Sequence, residues 1–181
     1  GTGATVAKAL GGERALKGGA GSAVERTEDG LMAGALVAVN CFGEVADPDS
    51  GRVVAGPRGE AGRFADTLEA LRSRPALAPF GADPNSTIGV VATNAALTKS
   101  DCYRLAVMAQ AGLARTIRPV YTPVDGDTIF ALATGAAGGP ADLLRLGALA
   151  ARAVERAVLR AVTEATGLAG VPSAGEWTGR R

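Results

Sequence analysis

The chain has 181 residues, a formal net charge of +1 and no histidine. Its hydrophobic content of 47% is enough for the packed core of one domain, or of one domain lacking a piece. Interspersed charges and few aromatic residues give no support for nucleic-acid binding, and no run of about 18 apolar residues predicts a membrane span. The lack of histidine excludes Ser-His-Asp and Cys-His catalysis within this chain and removes the commonest metal ligand.

The two cysteines, Cys41 and Cys102, cannot form a disulfide framework for a chain of this length. We expect them to be buried free thiols in a reducing cytoplasm. No signal peptide is visible, and the chain opens on Gly-Thr-Gly-Ala-Thr rather than on Met. We therefore expect that residues upstream of this opening have been removed.

The first third of the chain predicts loops and strands. Residues 1–30 are rich in glycine and predict loops with a short strand near 22–26. The apolar run 31–40 has the length and valine content of a buried strand. A turn signal, Asp-Pro-Asp-Ser-Gly, and a short strand at 52–55 follow, so residues 31–55 are predicted to form a hairpin.

The middle of the chain predicts a short helix, a linker and a strand. The helix is expected at 62–73 and the strand at 86–93. Between them, residues 74–85 hold three prolines that exclude regular structure and suit an exposed linker: Pro75, Pro79 and Pro84.

Two amphipathic helices dominate the remainder. The first is predicted at 98–116 with Thr98 or Ser100 as its N-cap, followed by an irregular segment and a strand at 128–134. The second is predicted at 141–166, after a glycine loop and Pro140. The whole pattern predicts an α/β (α+β) domain with helices packed on a mixed or antiparallel sheet.

The long second helix has the clearest pattern. One of its faces is apolar, while Arg152, Glu155, Arg156 and Arg160 cover much of the opposite face. Gly167 is predicted as its C′ residue, and the tail 171–181 is predicted to be mobile. The apolar positions follow helical spacing: Leu146, Leu149, Ala150, Ala153, Val154, Ala157, Val158, Ala161 and Val162.

The junction between Asn85 and Ser86 is the most informative site in the sequence. A turn-forming segment precedes it, and Ser86 opens the predicted strand. An N-terminal serine can act without histidine, because its own α-amine, with a pKa of roughly 7.7–8.0, serves as the base. That amine is freed only if the chain cuts itself before Ser86, by attack of Ser86 Oγ on the Asn85 carbonyl. The alternative is ordinary turn chemistry at a loop-to-strand junction.

Asp125 and Asp127 flank a glycine just before the next strand. The two carboxylates could orient the α-amine and hydroxyl of the nucleophile, bind an ammonium-bearing substrate or hold a divalent metal. A solvated Asp-Gly turn is the simpler interpretation, and the segment supplies too few oxygen ligands for a full calcium loop.

Lys8 and Asn40 are two further candidates. Lys8 does not belong to a phosphate loop, because the Walker spacing is missing, but beside a nucleophile it would transfer a proton or stabilise charge. Asn40 ends an apolar strand, where a buried polar group needs partners, and its amide or backbone N–H could stabilise an oxyanion. A turn asparagine at a strand end is the alternative.

Together these segments resemble the L-aminopeptidase/D-esterase family of self-processing N-terminal-nucleophile hydrolases. That family includes β-peptidyl aminopeptidases and nylon-oligomer (6-aminohexanoate) hydrolase. The resemblance extends over nearly all of the chain and rests on five blocks in one order: Gly1-Thr-Gly-Ala-Thr-Val-Ala-Lys8, Gly34-Ala-Leu-Val-Ala-Val-Asn40, Asn85-Ser-Thr-Ile-Gly-Val-Val-Ala-Thr93, Gly112-Leu-Ala-Arg115 and Asp125-Gly-Asp-Thr-Ile-Phe130.

The resemblance implies an αββα sandwich, shared with the ornithine acetyltransferases, and autocleavage at Asn85–Ser86. Residues 1–85 would be the C-terminal part of an α chain, and residues 86–181 a β chain with Ser86 as its nucleophile. The resemblance also implies supporting roles for Lys8, Asn40, Asp125 and Asp127, a tetramer of αβ units, and no metal or organic cofactor. The substrate would be an amino-acid amide, a short peptide or an ω-amino-acid oligomer.

Two departures from the family pattern are visible. Many relatives have threonine as the nucleophile, whereas this chain has Ser86 followed by Thr87, so Thr87 is the alternative nucleophile. The chain also begins where a long N-terminal part of the family fold should already have passed, and we expect that part to be absent. An acyltransferase of the ornithine acetyltransferase type, or an inactive assembly domain with the same fold, are the alternative functions.

Overall fold

The computed structural model describes residues 1–73, 85–138 and 142–179. Most of the linker predicted at 74–85, including its three prolines, and residues 139–141, including Pro140, lie outside the described residues.

Within these ranges the chain forms short strands at its beginning and long helices later. The strands and helices in chain order are β1 (Thr5–Val6), β2 (Leu16–Lys17), β3 (Gly19–Arg26), β4 (Met32–Val39), β5 (Glu44–Ala46), β6 (Val53–Ala55), α1 (Thr67–Ser73), β7 (Ile88–Thr93), α2 (Lys99–Thr116), β8 (Ile117–Arg118), β9 (Thr128–Ala133), α3 (Leu143–Thr163) and α4 (Ala174–Thr178).

A four-stranded mixed sheet with a layer of helices on one face forms the centre of the fold. Its strand order is β3-β4-β7-β9, and the first two pairings are antiparallel while β7 and β9 are parallel. Helices α2 and α3 pack against each other and against this sheet. Strands β6, β5 and β8 form a smaller sheet, and β1 pairs with β2. The predicted α/β class with helices on a mixed sheet is confirmed.

Helix α3 approaches the sheet closely because small residues lie on both sides of the contact. Gly21 in β3 lies against α3, and a Cβ placed on it would come 2.1 Å from the Ala157 carbonyl oxygen. The buried face of α3 is built mainly from alanine and valine: Ala150, Ala153, Val154, Ala157, Val158, Ala161 and Val162. The predicted apolar face of this helix is therefore its core face.

Replacing Gly21 with alanine is expected to destabilise the chain by about 1–3 kcal/mol. The added methyl group would overlap backbone atoms of Ala157 and Ala161, which cannot move aside as a flexible side chain can. For a domain of this size, each kcal/mol lowers Tm by about 2–4 °C, and circular dichroism would measure the shift. Gly34→Ala is the matched control in the neighbouring strand, because its Cβ would meet Val24 Cγ2 at an ordinary 3.6 Å. Equal melting temperatures for the two variants would contradict this account.

The opposite face of the four-stranded sheet carries exposed apolar side chains. Along each strand, buried and exposed residues alternate, as expected for a sheet with one covered face. The exposed members in register on this face are Val24, Leu36, Ile88, Phe130 and Leu132. The described residues thus form one helix layer on one sheet, and the other face of that sheet is exposed in this structure.

The predicted hairpin at 31–55 is wrong in its strand pairing. β6 pairs with β5 rather than with β4, which pairs on both sides inside the larger sheet. The turn signal itself was interpreted correctly, since Asp47 accepts hydrogen bonds from the Asp49 N–H and the Ser50 hydroxyl, both at 2.9 Å. The turn therefore joins two short strands of the smaller sheet.

Several helices and strands have boundaries that differ from the predicted ones. The glycine-rich residues 1–30 contain β1, β2 and all of β3, which is longer than predicted. The helix predicted at 62–73 begins at Thr67, after Asp66 accepts the Glu69 N–H at 2.8 Å. Thr98, not Ser100, caps α2 through a capping box with Asp101.

The C-terminal predictions need larger corrections. Helix α3 ends at Thr163 with Glu164 as its C-cap, so Gly167 is not the C′ residue. The predicted mobile tail is folded through Gly179, because Ser173 and Glu176 form a capping box that starts α4. The Trp177 indole also donates to the Arg63 carbonyl at 2.9 Å.

The predicted polar face of α3 is also interrupted. Glu155 is buried, at 3% exposure, and accepts hydrogen bonds from Arg115 at 2.8 Å and from Arg152 at 2.9 Å. Paired in this way, the carboxylate links α2 to α3. None of the helices in the described part of the chain combines the length and the hydropathy needed to cross a bilayer.

Candidate active site

The sequence-predicted site residues meet at one edge of the four-stranded sheet. β4 runs antiparallel to β7, and β7 runs parallel to β9. The C-terminal end of β4 therefore lies beside the N-terminal ends of β7 and β9. This topology brings together Asn40 after β4, the Asn85–Ser86 junction before β7, and the Asp125–Asp127 segment before β9.

The Asn85–Ser86 junction is held by hydrogen bonds to both of its residues. Ser86 Oγ lies 2.5 Å from the Asn85 carbonyl oxygen, to which it donates, and Ser86 N–H donates to the Asn40 carbonyl at 2.9 Å. The Asn85 carbonyl also accepts the Gly126 N–H at 2.9 Å, and the Asn85 side-chain amide donates to the Val124 carbonyl at 3.2 Å. The hydroxyl thus lies beside the carbonyl that an N-to-O shift would attack.

The alternative nucleophile occupies a different environment. Thr87 is fully buried at 0% exposure, whereas Ser86 is partly exposed. Thr87 is also fixed by its backbone, because its N–H donates to Asp127 Oδ1 at 2.6 Å and its carbonyl accepts the Thr128 N–H at 2.9 Å. Of the two hydroxyl residues, Ser86 is the one that a substrate could reach.

Lys8 and Asn40 form a partly buried polar pair beside the junction. Lys8, only 6% exposed, donates from Nζ to Asn40 Oδ1 at 3.0 Å. The same oxygen accepts the Thr5 N–H at 2.9 Å. The Asn40 carboxamide oxygen thus faces Lys8, while the Asn40 backbone carbonyl holds Ser86 N–H.

The backbone beside Lys8 is in an uncommon conformation. Ala7 has φ 62°, in the left-handed region that non-glycine residues rarely occupy. Its N–H donates to the Gly43 carbonyl at 3.0 Å, and the Lys8 N–H donates to the Phe42 carbonyl at 2.8 Å. These bonds hold Lys8 in position despite the strain at Ala7.

Both aspartates are anchored by backbone and hydroxyl donors. Asp125 accepts the Phe42 N–H at 3.1 Å and the Thr122 hydroxyl. Asp127 accepts the N–H groups of Thr87 at 2.6 Å and Tyr121 at 3.2 Å. Among the described residues, neither carboxylate hydrogen-bonds to Ser86. The aspartates therefore adjoin the junction through Thr87 and Gly126 rather than touching the serine.

Burial at this edge of the sheet raises the pKa of Asp127 and of Tyr121. Burial raises the pKa of Asp127, and the hydrogen bonds from Thr87 and Tyr121 only partly oppose this. Burial also raises the pKa of Tyr121 to about 12, with a smaller contribution from the charge of Asp127.

Cys41, next to Asn40, is fully buried, and burial raises its pKa to about 12. A thiol in this state stays protonated and is a poor nucleophile. Both cysteines are free, as expected, although Cys102 is only partly buried.

A cleft of about 520 Å³ opens beside Lys8 and Asn40. Its walls come mostly from the glycine-rich N-terminal segment and the end of β4: Gly1, Gly3, Ala4, Thr5, Lys8, Gly12, Ala38 and Asn40. No cluster of three or more histidine, cysteine or acidic side chains able to hold a metal occurs within residues 1–73, 85–138 and 142–179.

Sequence reasoning missed the backbone groups of the site. The N–H groups of Phe42, Tyr121 and Gly126 contact Asp125, Asp127 and Asn85, respectively. Backbone amides have no side-chain signature, and Gly126 looks like an ordinary turn residue. Tyr121, with φ 54°, could have been suspected from its place between Pro119 and Pro123, which restrict this loop.

Comparison with known proteins places these features in context. The sequence model of peptidase family S58 matches residues 1–174. The chain is 45% identical over 177 residues to an uncharacterized aminopeptidase of Mycobacterium tuberculosis. The matched region covers 88% of this chain and 52% of that protein. The chain thus spans about half the length of the curated relatives it matches.

Solved structures share the fold. A protein of Pyrococcus horikoshii superposes with a TM-score of 0.55 and 27% identity, over 84% of this chain and 42% of that one. The L-aminopeptidase D-Ala-esterase/amidase of Ochrobactrum anthropi, described as a variant of the Ntn hydrolase fold, gives a TM-score of 0.56 and 24% identity. The latter match covers 87% of this chain and 43% of that one.

Proposed function

We propose that this chain, which belongs to peptidase family S58, acts as a self-processing aminopeptidase or amide hydrolase. In this proposal the bond between Asn85 and Ser86 is cut by the chain itself. Residues 1–85 then belong to an α chain, and residues 86–181 form a β chain with Ser86 at its N-terminus. The observation that carries the proposal is the 2.5 Å separation between Ser86 Oγ and the Asn85 carbonyl oxygen.

Self-cleavage begins with attack of Ser86 Oγ on the Asn85 carbonyl carbon. The C–N bond then breaks, the hydroxyl proton passes to the departing Ser86 nitrogen, and an ester remains. Water hydrolyses that ester, which leaves a carboxylate on Asn85 and a free α-amine on Ser86. The Asn40 carbonyl already accepts Ser86 N–H at 2.9 Å, so it is placed to hold the new amine.

The mature site uses Ser86 as nucleophile and its α-amine as base, a mechanism that needs no histidine, and these 181 residues contain none. Asp125 and Asp127 orient the amine, while Lys8 stabilises charge and Asn40 assists as an oxyanion donor. The cleft beside Lys8 and Asn40 is where the substrate amide enters. Substrates are amino-acid amides, short peptides or 6-aminohexanoate oligomers, and we further propose a cytoplasmic tetramer of αβ units.

Mass spectrometry of the purified protein tests this proposal. We expect two fragments, with the second beginning at Ser86, and release of the amine product from an aminoacyl-nitroanilide. Thr87→Val is expected to leave both the position of the cut and the release of amine product unchanged, because valine keeps the backbone N–H that donates to Asp127 and removes only a buried hydroxyl. A second fragment that begins at Thr87, or loss of cleavage in a folded Thr87→Val variant, would transfer the nucleophile role to Thr87.

A further inference from the structure

The carbonyl group of Asn85 is held between two donors in the uncut chain. Ser86 Oγ donates to its oxygen at 2.5 Å, and Gly126 N–H donates to the same oxygen at 2.9 Å. During an attack on this carbonyl, negative charge develops on that oxygen. A donor already within hydrogen-bond distance is therefore in the position that an oxyanion requires.

The Gly126 N–H is fixed in place before any reaction begins. Asn85 and Asp125 form a parallel bridge that extends the pairing of β7 with β9 by a short step beyond the strands. On either side of Gly126, the carboxylates of Asp125 and Asp127 are anchored by hydrogen bonds to Phe42, Thr122, Thr87 and Tyr121. Such a donor needs no reorganisation when charge develops, which is the condition under which one hydrogen bond contributes most to a rate.

The absence of a side chain at Gly126 leaves the space that Ser86 occupies. A Cβ at this position would lie 2.7 Å from Ser86 Oγ and 3.8 Å from the Asn85 carbonyl oxygen. The first distance is too short for a carbon and an oxygen in contact. An alanine here would displace the hydroxyl from the carbonyl it faces, whereas the backbone donor would remain.

We propose that the backbone N–H of Gly126 is the oxyanion donor of the self-cleavage step, and that glycine is required there to seat the Ser86 hydroxyl. The inference rests on the proposed self-cleavage and adds a catalytic group to it. Ser86 Oγ forms a bond to the Asn85 carbon, the carbonyl oxygen takes the electron pair and is held by Gly126 N–H, and collapse of this intermediate expels the Ser86 nitrogen with the transferred proton.

Removing the single N–H while keeping the chain geometry tests the donor. Glycolic acid in place of Gly126, introduced by nonsense suppression during cell-free translation of the complete protein, replaces the amide N–H with an ester oxygen. We expect the rate of fragment appearance to fall about 100-fold to 1000-fold, as for loss of one oxyanion donor. The readout is mass spectrometry of the cleavage time course.

The matched control removes the next hydrogen bond along the same parallel pairing, which Thr128 donates. Thr128 N–H donates to the Thr87 carbonyl at 2.9 Å, the same length as the bond from Gly126, but Thr87 carries no scissile carbonyl. The corresponding α-hydroxy acid at position 128 therefore removes an equivalent ladder bond, and we expect cleavage within about threefold of the unmodified rate. Similar rates for the two esters would overturn the proposal.

Gly126→Ala provides a second, independent test of the steric requirement. It is expected to slow cleavage strongly while the protein remains folded by circular dichroism, whereas Gly34→Ala, remote from the junction, leaves the rate unchanged. Normal cleavage by folded Gly126→Ala protein would overturn the requirement for glycine. Failure of the proposed self-cleavage gives a different result. Cleavage that persists in Ser86→Ala would reject self-processing by Ser86. A normal cleavage rate in the variant with an ester at position 126 would reject only the role of Gly126.

Discussion

Ser86→Ala is expected to leave a single uncut chain with no detectable hydrolase activity. The substitution removes the oxygen that would attack Asn85 and, in the same change, the nucleophile for substrate. Loss of a nucleophile that works together with its base costs about 10⁴-fold or more in rate. Stability should fall by no more than about 1.5 kcal/mol, because the backbone bond from Ser86 N–H to the Asn40 carbonyl persists. The measurement is intact mass after prolonged incubation, together with nitroanilide turnover.

Ser86→Thr is the matched control for this prediction. Threonine restores a hydroxyl on the same Cβ and retains a nucleophile, so cleavage should recover at least in part, and the cut should remain before residue 86. An alanine variant that still splits at this position would show that another group performs the attack.

The long elements of the fold could be predicted from sequence because their patterns are local. The apolar spacing from Leu146 to Val162 is satisfied by a single helix whatever its surroundings. Strand pairing is not local, which is why β6 was assigned to the wrong partner. The C-terminal tail was misjudged because its order depends on Trp177 contacting Arg58 and Arg63, more than a hundred residues earlier.

For the candidate site, too, side-chain chemistry is visible in the sequence, whereas spatial arrangement is not. Ser86, Asp125 and Asp127 could be named as candidates from sequence because hydroxyl and carboxylate side chains carry recognisable chemistry. Their convergence with Asn40 follows from one antiparallel and one parallel pairing, which no motif encodes. The Gly126 donor escaped notice because its function resides in the backbone, and only the sheet geometry aims it at Asn85.

Asp127→Asn is expected to slow self-cleavage by up to about 100-fold, because the charge of Asp127 helps to fix the Thr87 backbone beside the nucleophile, and a misplacement of about 1 Å costs that much. Asp127 is half-buried, and it links Thr87, next to the nucleophile, to the Tyr121 loop. Asparagine retains a carbonyl oxygen for the Thr87 N–H but loses the negative charge and one of the two acceptors. The site would therefore keep its shape and lose the negative charge at position 127.

The pH dependence separates this charge effect from a loss of structure. Because burial raises the pKa of Asp127, its carboxylate takes up a proton at a higher pH than an exposed aspartate does. As pH falls through that raised pKa, the ionised fraction decreases, so the cleavage rate of the unmodified protein should fall on the acid side. The Asp127→Asn variant has no carboxylate to protonate at this position. Its cleavage should therefore be slow at every pH, without a further fall of the rate at acid pH. Asp101→Asn, at the N-terminal capping box of α2, should reproduce the profile of the unmodified protein. An acid limb that survives in Asp127→Asn would assign the ionisation to another group.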